Sequence, residues 1–92
     1  MKYIIVYDIS DDSIRNEVRR YLKDMGGDRI QYSAFLFEAS AAEIKGIMSE
    51  IRRIIGPSKA RVIAIPICGR DEAKVLTIIH NYEIHEEEDI AI

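Results

Sequence analysis

The chain has no tryptophan, a single cysteine and two prolines in 92 residues. With only Cys68, no internal disulfide can form and no thiolate zinc cage can be assembled. A Cys/His nucleophile using His80 or His85 is the sharper alternative, but the reading taken for Cys68 is a small buried thiol. No apolar run approaches the roughly 20 residues that cross a bilayer. The first apolar stretch, 3–7, is too short for the core of a signal peptide and lacks a small-residue cleavage site. These absences set the expectation of a cytoplasmic protein with no membrane partner.

A composition of 48% hydrophobic and 32% charged residues excludes disorder, and the length points to one domain over 1–92. Surface scaling gives roughly 5,500 Å² exposed when folded against roughly 15,400 Å² unfolded, so a lone protomer buries only about two thirds of its surface.

The formal net charge of −3 conceals an asymmetry. Residues 1–12 carry one Lys against three Asp, residues 13–70 carry eleven Lys/Arg against six Asp/Glu, and residues 71–92 carry one Lys against seven Asp/Glu. A basic body with an acidic extension is compatible with a polyanionic partner.

Residues 2–8 are β-branched and aromatic and run into an Asp/Ser turn, which predicts a strand. Apolar residues at Ile14, Val18, Tyr21, Leu22 and Met25 keep helical spacing until Gly26-Gly27. Arg15, Arg19 and Lys23 stand four apart on the polar side of that helix. After an extended region over 28–39, Ser40 and Glu43 form a capping box that opens a second helix, closed by Gly56-Pro57. Residues 61–67 predict another strand, with Pro66 favouring an edge. Further apolar material follows at 75–79 and, beyond an acidic stretch, at Ile90-Ala-Ile92.

Two helices cover one face of such a sheet. Yet Tyr3, Ile5 and Tyr7 on one side of the first strand and Ile4 and Val6 on the other are all apolar, as are both sides of 62–67. The simplest cover for the second face is another copy, giving a two-fold homodimer to whose sheet edge residues 90–92 could add.

Asp8, Asp11 and Asp12 form the first chemical candidate. The spacing is not that of an EF-hand. Asp11 and Asp12 read as helix caps, whereas Asp8 ends an apolar strand and is balanced between a turn residue and a ligand for a divalent ion. The second candidate is Arg29-Ile-Gln-Tyr-Ser-Ala-Phe35, whose plain reading is an amphipathic strand with Ile30, Tyr32 and Ala34 on one face. His80 and His85, near Glu83 and Glu86, match no metal-ligand spacing and read as a solvated extension.

The strand ending Val-Tyr-Asp-Ile (6–9), the run Ser-Asp-Asp-Ser (10–13) with Arg15-Asn16, and Asp28-Arg-Ile-Gln-Tyr-Ser-Ala-Phe35 together resemble the CRISPR-associated protein two family, the small subunit that accompanies the CRISPR integrase. The resemblance implies an α+β, ferredoxin-like β-α-β-β-α-β protomer with an antiparallel sheet and a further C-terminal strand that crosses to the partner. It implies a homodimer with back-to-back sheets. It places Asp8 at a Mg²⁺ site shared across the dimer axis, and puts Tyr7, Arg15, Arg29, Ser33 and Phe35 at that catalytic site or on nucleic acid. Arg15, Arg19, Lys23 and Arg29 would grip DNA or RNA phosphates. Two roles follow, a scaffold for spacer integration beside the integrase subunit and a metal-dependent endonuclease. Glu17, where some members carry arginine, departs from the pattern, as do the short 28–39 region and the acidic residues after Ile79. The competing reading from another class is a regulatory dimer of the ACT type that binds a small molecule at its interface.

Overall fold

The apolar spacing along the chain resolves into alternating strands and helices. In a computed structural model that describes residues 1–80, the order is β1 (Lys2–Ile9), α1 (Asp12–Asp24), β2 (Asp28–Gln31), β3 (Ala34–Glu38), α2 (Ala41–Ile55), β4 (Ala60–Ile67) and a short α3 (Gly69–Glu72). The strands form one antiparallel sheet in the order β2-β3-β1-β4, the ferredoxin-like arrangement. Strand β1 is central, with Ile5 opposite Phe35 on one side and Ala64 on the other. Strand β4 is an edge among the described residues, so Pro66 sits where sequence reasoning put it.

Local chemistry sets the helix starts. Asp11 caps α1, its Oδ1 accepting from the Ile14 N–H at 2.9 Å and the Ser13 hydroxyl at 3.1 Å. Ser40 and Glu43 form the expected reciprocal capping box on α2. Both helices pack on one side of the sheet. Val18 and Leu22 from α1, and Ile44, Ile47 and Ile51 from α2, close over Ile5, Tyr7, Ile9, Phe35 and Phe37.

Alternation along β1 sends the other residues to the opposite side. There Val6, Ile63 and Ile65 are exposed. The register aligns Val6 with Ile63 and Ile4 with Ile65, making a contiguous apolar strip that, among the described residues, has no helix over it. Asp8 lies at the end of this strip, opposite Arg61.

Three expectations are corrected. Residues 29–35 are a hairpin rather than one strand, because Tyr32-Ser33 turn the chain and a register shift between Arg29 and Gln31 breaks the alternation. Ala34 is therefore buried, while Tyr32 projects from the turn. Cys68 is exposed, since it precedes α3 beyond the sheet, and its Sγ lies 3.2 Å from an Asp71 carboxylate oxygen. Residues 75–80 form no strand; Leu76 and Ile78 are exposed. Ile90-Ala-Ile92 and His85 lie outside the described residues.

The caps carry a pH signature. Hydrogen bonds from the Ile14 N–H and then the Ser13 hydroxyl hold the Asp11 carboxyl below its ordinary value of 3.8, and the Ser40 N–H and hydroxyl lower Glu43 in the same way. A lowered carboxyl contributes stability that is complete above its unfolded pKa and is lost as pH falls through the folded value. The melting temperature should therefore hold from neutrality to about pH 5 and fall below about pH 4. Asp11→Asn, which caps without ionising, should show a shallower acid loss; an identical acid slope in the two proteins would refute this role.

Candidate nucleic-acid interface

Tyr7 and Asp8 are neighbours in sequence and point to opposite sides of β1. Tyr7 is 2% exposed and belongs to the core, whereas Asp8 is exposed at the end of the open strip. The residues singled out from sequence thus fall into two places.

The first is a cleft of about 340 Å³ between the first half of α1 and the β2–β3 turn. It gathers Tyr7, Arg15, Arg19, Arg29 and Ser33, and adds Asn16 and Tyr32. The Tyr32 carbonyl organises it, accepting from the Tyr7 hydroxyl at 3.0 Å and from Arg29 Nη2 at 2.8 Å. The Ser33 carbonyl accepts from the Tyr7 N–H at 3.0 Å, so both turn residues are tied to β1. Arg29 is 7% exposed, and its guanidinium carbon lies 5.3 Å from the Tyr32 ring centroid. Arg15 Nη1 donates to the Ile9 carbonyl at 3.1 Å, and its Nη2 pairs with Asp12. Phe35 does not line the cleft. It is 1% exposed and stacks beneath Tyr7, with centroids 6.3 Å apart and planes 25° apart. Lys23 is exposed one turn further along α1.

Burial pushes the Tyr7 phenol above its ordinary pKa of 10.0, against an opposing pull from Arg29, then Arg19 and Arg15. The phenol thus stays protonated at neutral pH and serves as a hydrogen-bond donor to the turn. It is unsuited to act as a general base. The three arginines close enough to influence it make the cleft cationic.

The second place is Asp8. Among the described residues no group of three or more His, Cys, Asp or Glu is placed to hold a metal ion, so the described part of one protomer does not by itself assemble such a ligand set around Asp8. An exposed carboxylate is a hard oxygen donor of the kind Mg²⁺ accepts when waters and phosphate oxygens complete its shell. Asp8 therefore fits a divalent ion as one ligand among several. Among the described residues, no helix is long and apolar enough to cross a membrane. On α2, Arg53 donates from Nε and Nη2 to the two carboxylate oxygens of Glu50, so its charge is paired on the helix surface.

Sequence reasoning missed Tyr32 and Asn16 as cleft residues. Asn16 was adjacent to a chosen arginine, and its helical position on the α1 side facing the hairpin was the available signal. For Tyr32 the signal was weaker, because only the turn at 32–33 turns its ring outward.

A family model described as CRISPR associated protein Cas2 matches residues 1–75. The CRISPR-associated endoribonuclease Cas2 of Korarchaeum cryptofilum is 46% identical over 72 residues, covering 77% of this chain and 76% of that protein. Among solved structures, a hypothetical protein TT1823 from Thermus thermophilus superposes with a TM-score of 0.67 at 26% identity, covering 74% of this chain and 82% of the other. Streptococcus pyogenes Cas2 superposes with a TM-score of 0.72 over 85% of this chain and 99% of that one; at 20% identity the likeness speaks for the fold.

The hydrogen bond from Tyr7 to the turn has a measurable size. Tyr7→Phe leaves the Tyr32 carbonyl with its Arg29 donor, so denaturant unfolding should show a loss of about 1 kcal/mol. Tyr7→Ala also empties core volume and should cost about 3–5 kcal/mol. Equal losses in the two variants would show that the hydroxyl, and not the ring, dominates.

Proposed function

Because the chain belongs to the CRISPR-associated Cas2 family, we propose that it is a single ferredoxin-like domain acting as a cytoplasmic homodimer that binds nucleic acid in CRISPR adaptation. In this reading it holds DNA beside an integrase subunit, and it also hydrolyses RNA or DNA phosphodiester bonds with Mg²⁺. The endoribonuclease name carried by its relatives supports the hydrolytic part. The family match leaves the small-molecule regulatory alternative without support.

The observation that carries the reading is the apolar strip of exposed Val6, Ile63 and Ile65 with half-buried Ile4, and Asp8 at its end. A two-fold axis makes such a patch self-complementary, and an interface of the usual size buries about 1,600 Å². A two-fold axis passing near the Asp8 end of the strip would bring the two Asp8 carboxylates to a shared site, with Arg61 opposite each in the β1–β4 register. There the pair would hold Mg²⁺, which supplies positive charge to a phosphate and lowers the pKa of a bound water. The chain's own residues position the substrate. Arg15 is fixed by the Ile9 carbonyl and Asp12, and with Arg19 it presents cationic hydrogen-bond donors to phosphate oxygens independently of base sequence. Binding through such contacts weakens with salt, each phosphate contact adding roughly 0.9 to the log–log slope for duplex DNA.

Asp8→Asn keeps the shape of the side chain and removes its charge. Cleavage of labelled RNA and duplex DNA in Mg²⁺ should fall to the level seen with chelator, while nucleic-acid binding survives. Mg²⁺ should raise the melting temperature of the Asp8 protein and not that of the Asn variant, since only paired carboxylates repel in the absence of the ion. Undiminished cleavage by the variant would reject Asp8 as the ligand. Absence of cleavage by both, with DNA binding retained, would leave the scaffold role as the function.

A further inference from the structure

The apolar strip on the open face ends in one pair of opposite charges. Register sets Asp8 directly across from Arg61, and alternation puts both on the face that carries Val6 and Ile63. Both are exposed. Directly opposed residues of an antiparallel pair have Cβ atoms about 4.5–5.5 Å apart, so a guanidinium on one strand reaches a carboxylate on the other. Pairing continues beyond this point, where the Ser10 N–H donates to the Lys59 carbonyl at 3.4 Å, so the backbone at Arg61 is held in register. The next two pairs along the strip, Val6 with Ile63 and Ile4 with Ile65, are apolar. Among the described residues Arg61 enters no ion pair, whereas Arg15, at the same end of β1, is bound to the Ile9 carbonyl and Asp12.

We propose that Arg61 is the resident counter-charge of the Asp8 site: it neutralises the carboxylates while no ion is bound, so that two copies meet without metal, and it sets the concentration at which a divalent ion enters. The inference rests on the shared-site reading above and adds how that site is assembled and loaded. A two-fold axis near Asp8 brings together two carboxylates and two guanidinium groups, whose formal charges cancel. Two carboxylates alone would repel, more strongly in an interface than in water because the local dielectric is lower. With Arg61 present the copies meet as a neutral set. The same neutrality weakens capture of an ion, since an entering cation faces two guanidinium charges as well as two carboxylates. Once the ion is in, positive charge is in excess, which favours an anionic phosphate beside it. Arginine is suited to this place because its guanidinium stays charged and its planar, paired N–H donors match a carboxylate.

Sedimentation equilibrium and thermal unfolding, each in chelator and in Mg²⁺, test the proposal. In chelator, Arg61→Gln should raise the dimer dissociation constant about ten-fold, while Arg61→Lys, which keeps the charge, stays within about three-fold of the parent. The double variant Asp8→Asn with Arg61→Gln is again neutral and should recover most of that loss. A merely structural Arg61 would give no such recovery. Mg²⁺ should raise the melting temperature of Arg61→Gln at about ten-fold lower concentration than that of the parent, because the ion then meets two uncompensated carboxylates. An Arg61→Gln dimer as tight in chelator as the parent, a double variant no tighter than Arg61→Gln, or a parent that is dimeric only with Mg²⁺ would overturn the proposal. Failure of the shared-site reading looks different: Asp8→Asn by itself would then match the parent in both dimer affinity and response to Mg²⁺.

Discussion

A central strand that is apolar on both sides cannot be satisfied by two helices. Strand β1 turns Ile5, Tyr7 and Ile9 into the core and leaves Ile4 and Val6 on a face that no described element covers. Taking an Ile or Val from full exposure to full burial is worth about 1.5–3 kcal/mol, and Val6, Ile63 and Ile65 keep 37–46% of their surface exposed, so covering the strip contributes a fraction of that per side chain toward association. The same alternation separates Tyr7 from Asp8. One enters the arginine-lined cleft and the other reaches the open face, so a single strand end supplies side chains to both sides of the sheet.

The cleft depends on a second constraint, the cost of burying a guanidinium. Arg29 is 7% exposed and must be compensated by hydrogen bonds and by a favourable electrostatic partner. The Tyr32 carbonyl supplies the first and the Tyr32 ring the second. The compensation also makes the β2–β3 turn rigid. A charge that is costly to bury thus becomes the device that holds an aromatic ring at a cationic cleft.

Much of this was legible in the sequence, for local reasons. Asp11, and Ser40 with Glu43, announced their helices because capping is a contact between residues three apart. The two-sided apolar pattern of β1 and the position of Pro66 revealed the bare face and the edge strand. What escaped depended on non-local geometry. A hairpin with a two-residue turn and a bulge looks like one alternating strand until its register is known, which hid the outward position of Tyr32. Cys68 was expected inside because small thiols usually are, but it sits just past the end of the edge strand. That Tyr7, Arg15, Arg29 and Ser33 converge, while Phe35 packs beneath them, could not follow from spacing alone. The family resemblance put them on one list without distinguishing the ring that lines the cleft from the ring that supports it.

The central claim is that the exposed sheet strip is the meeting surface of two copies. Sedimentation equilibrium of the full chain at micromolar concentration tests it most directly, alongside Ile63→Lys, which sets a charge on the strip without touching the helix-covered core. The parent should sediment at twice the 10.6 kDa chain mass and the variant as a folded monomer. A parent protein that remains monomeric across the range, or a variant as dimeric as its parent, would contradict it.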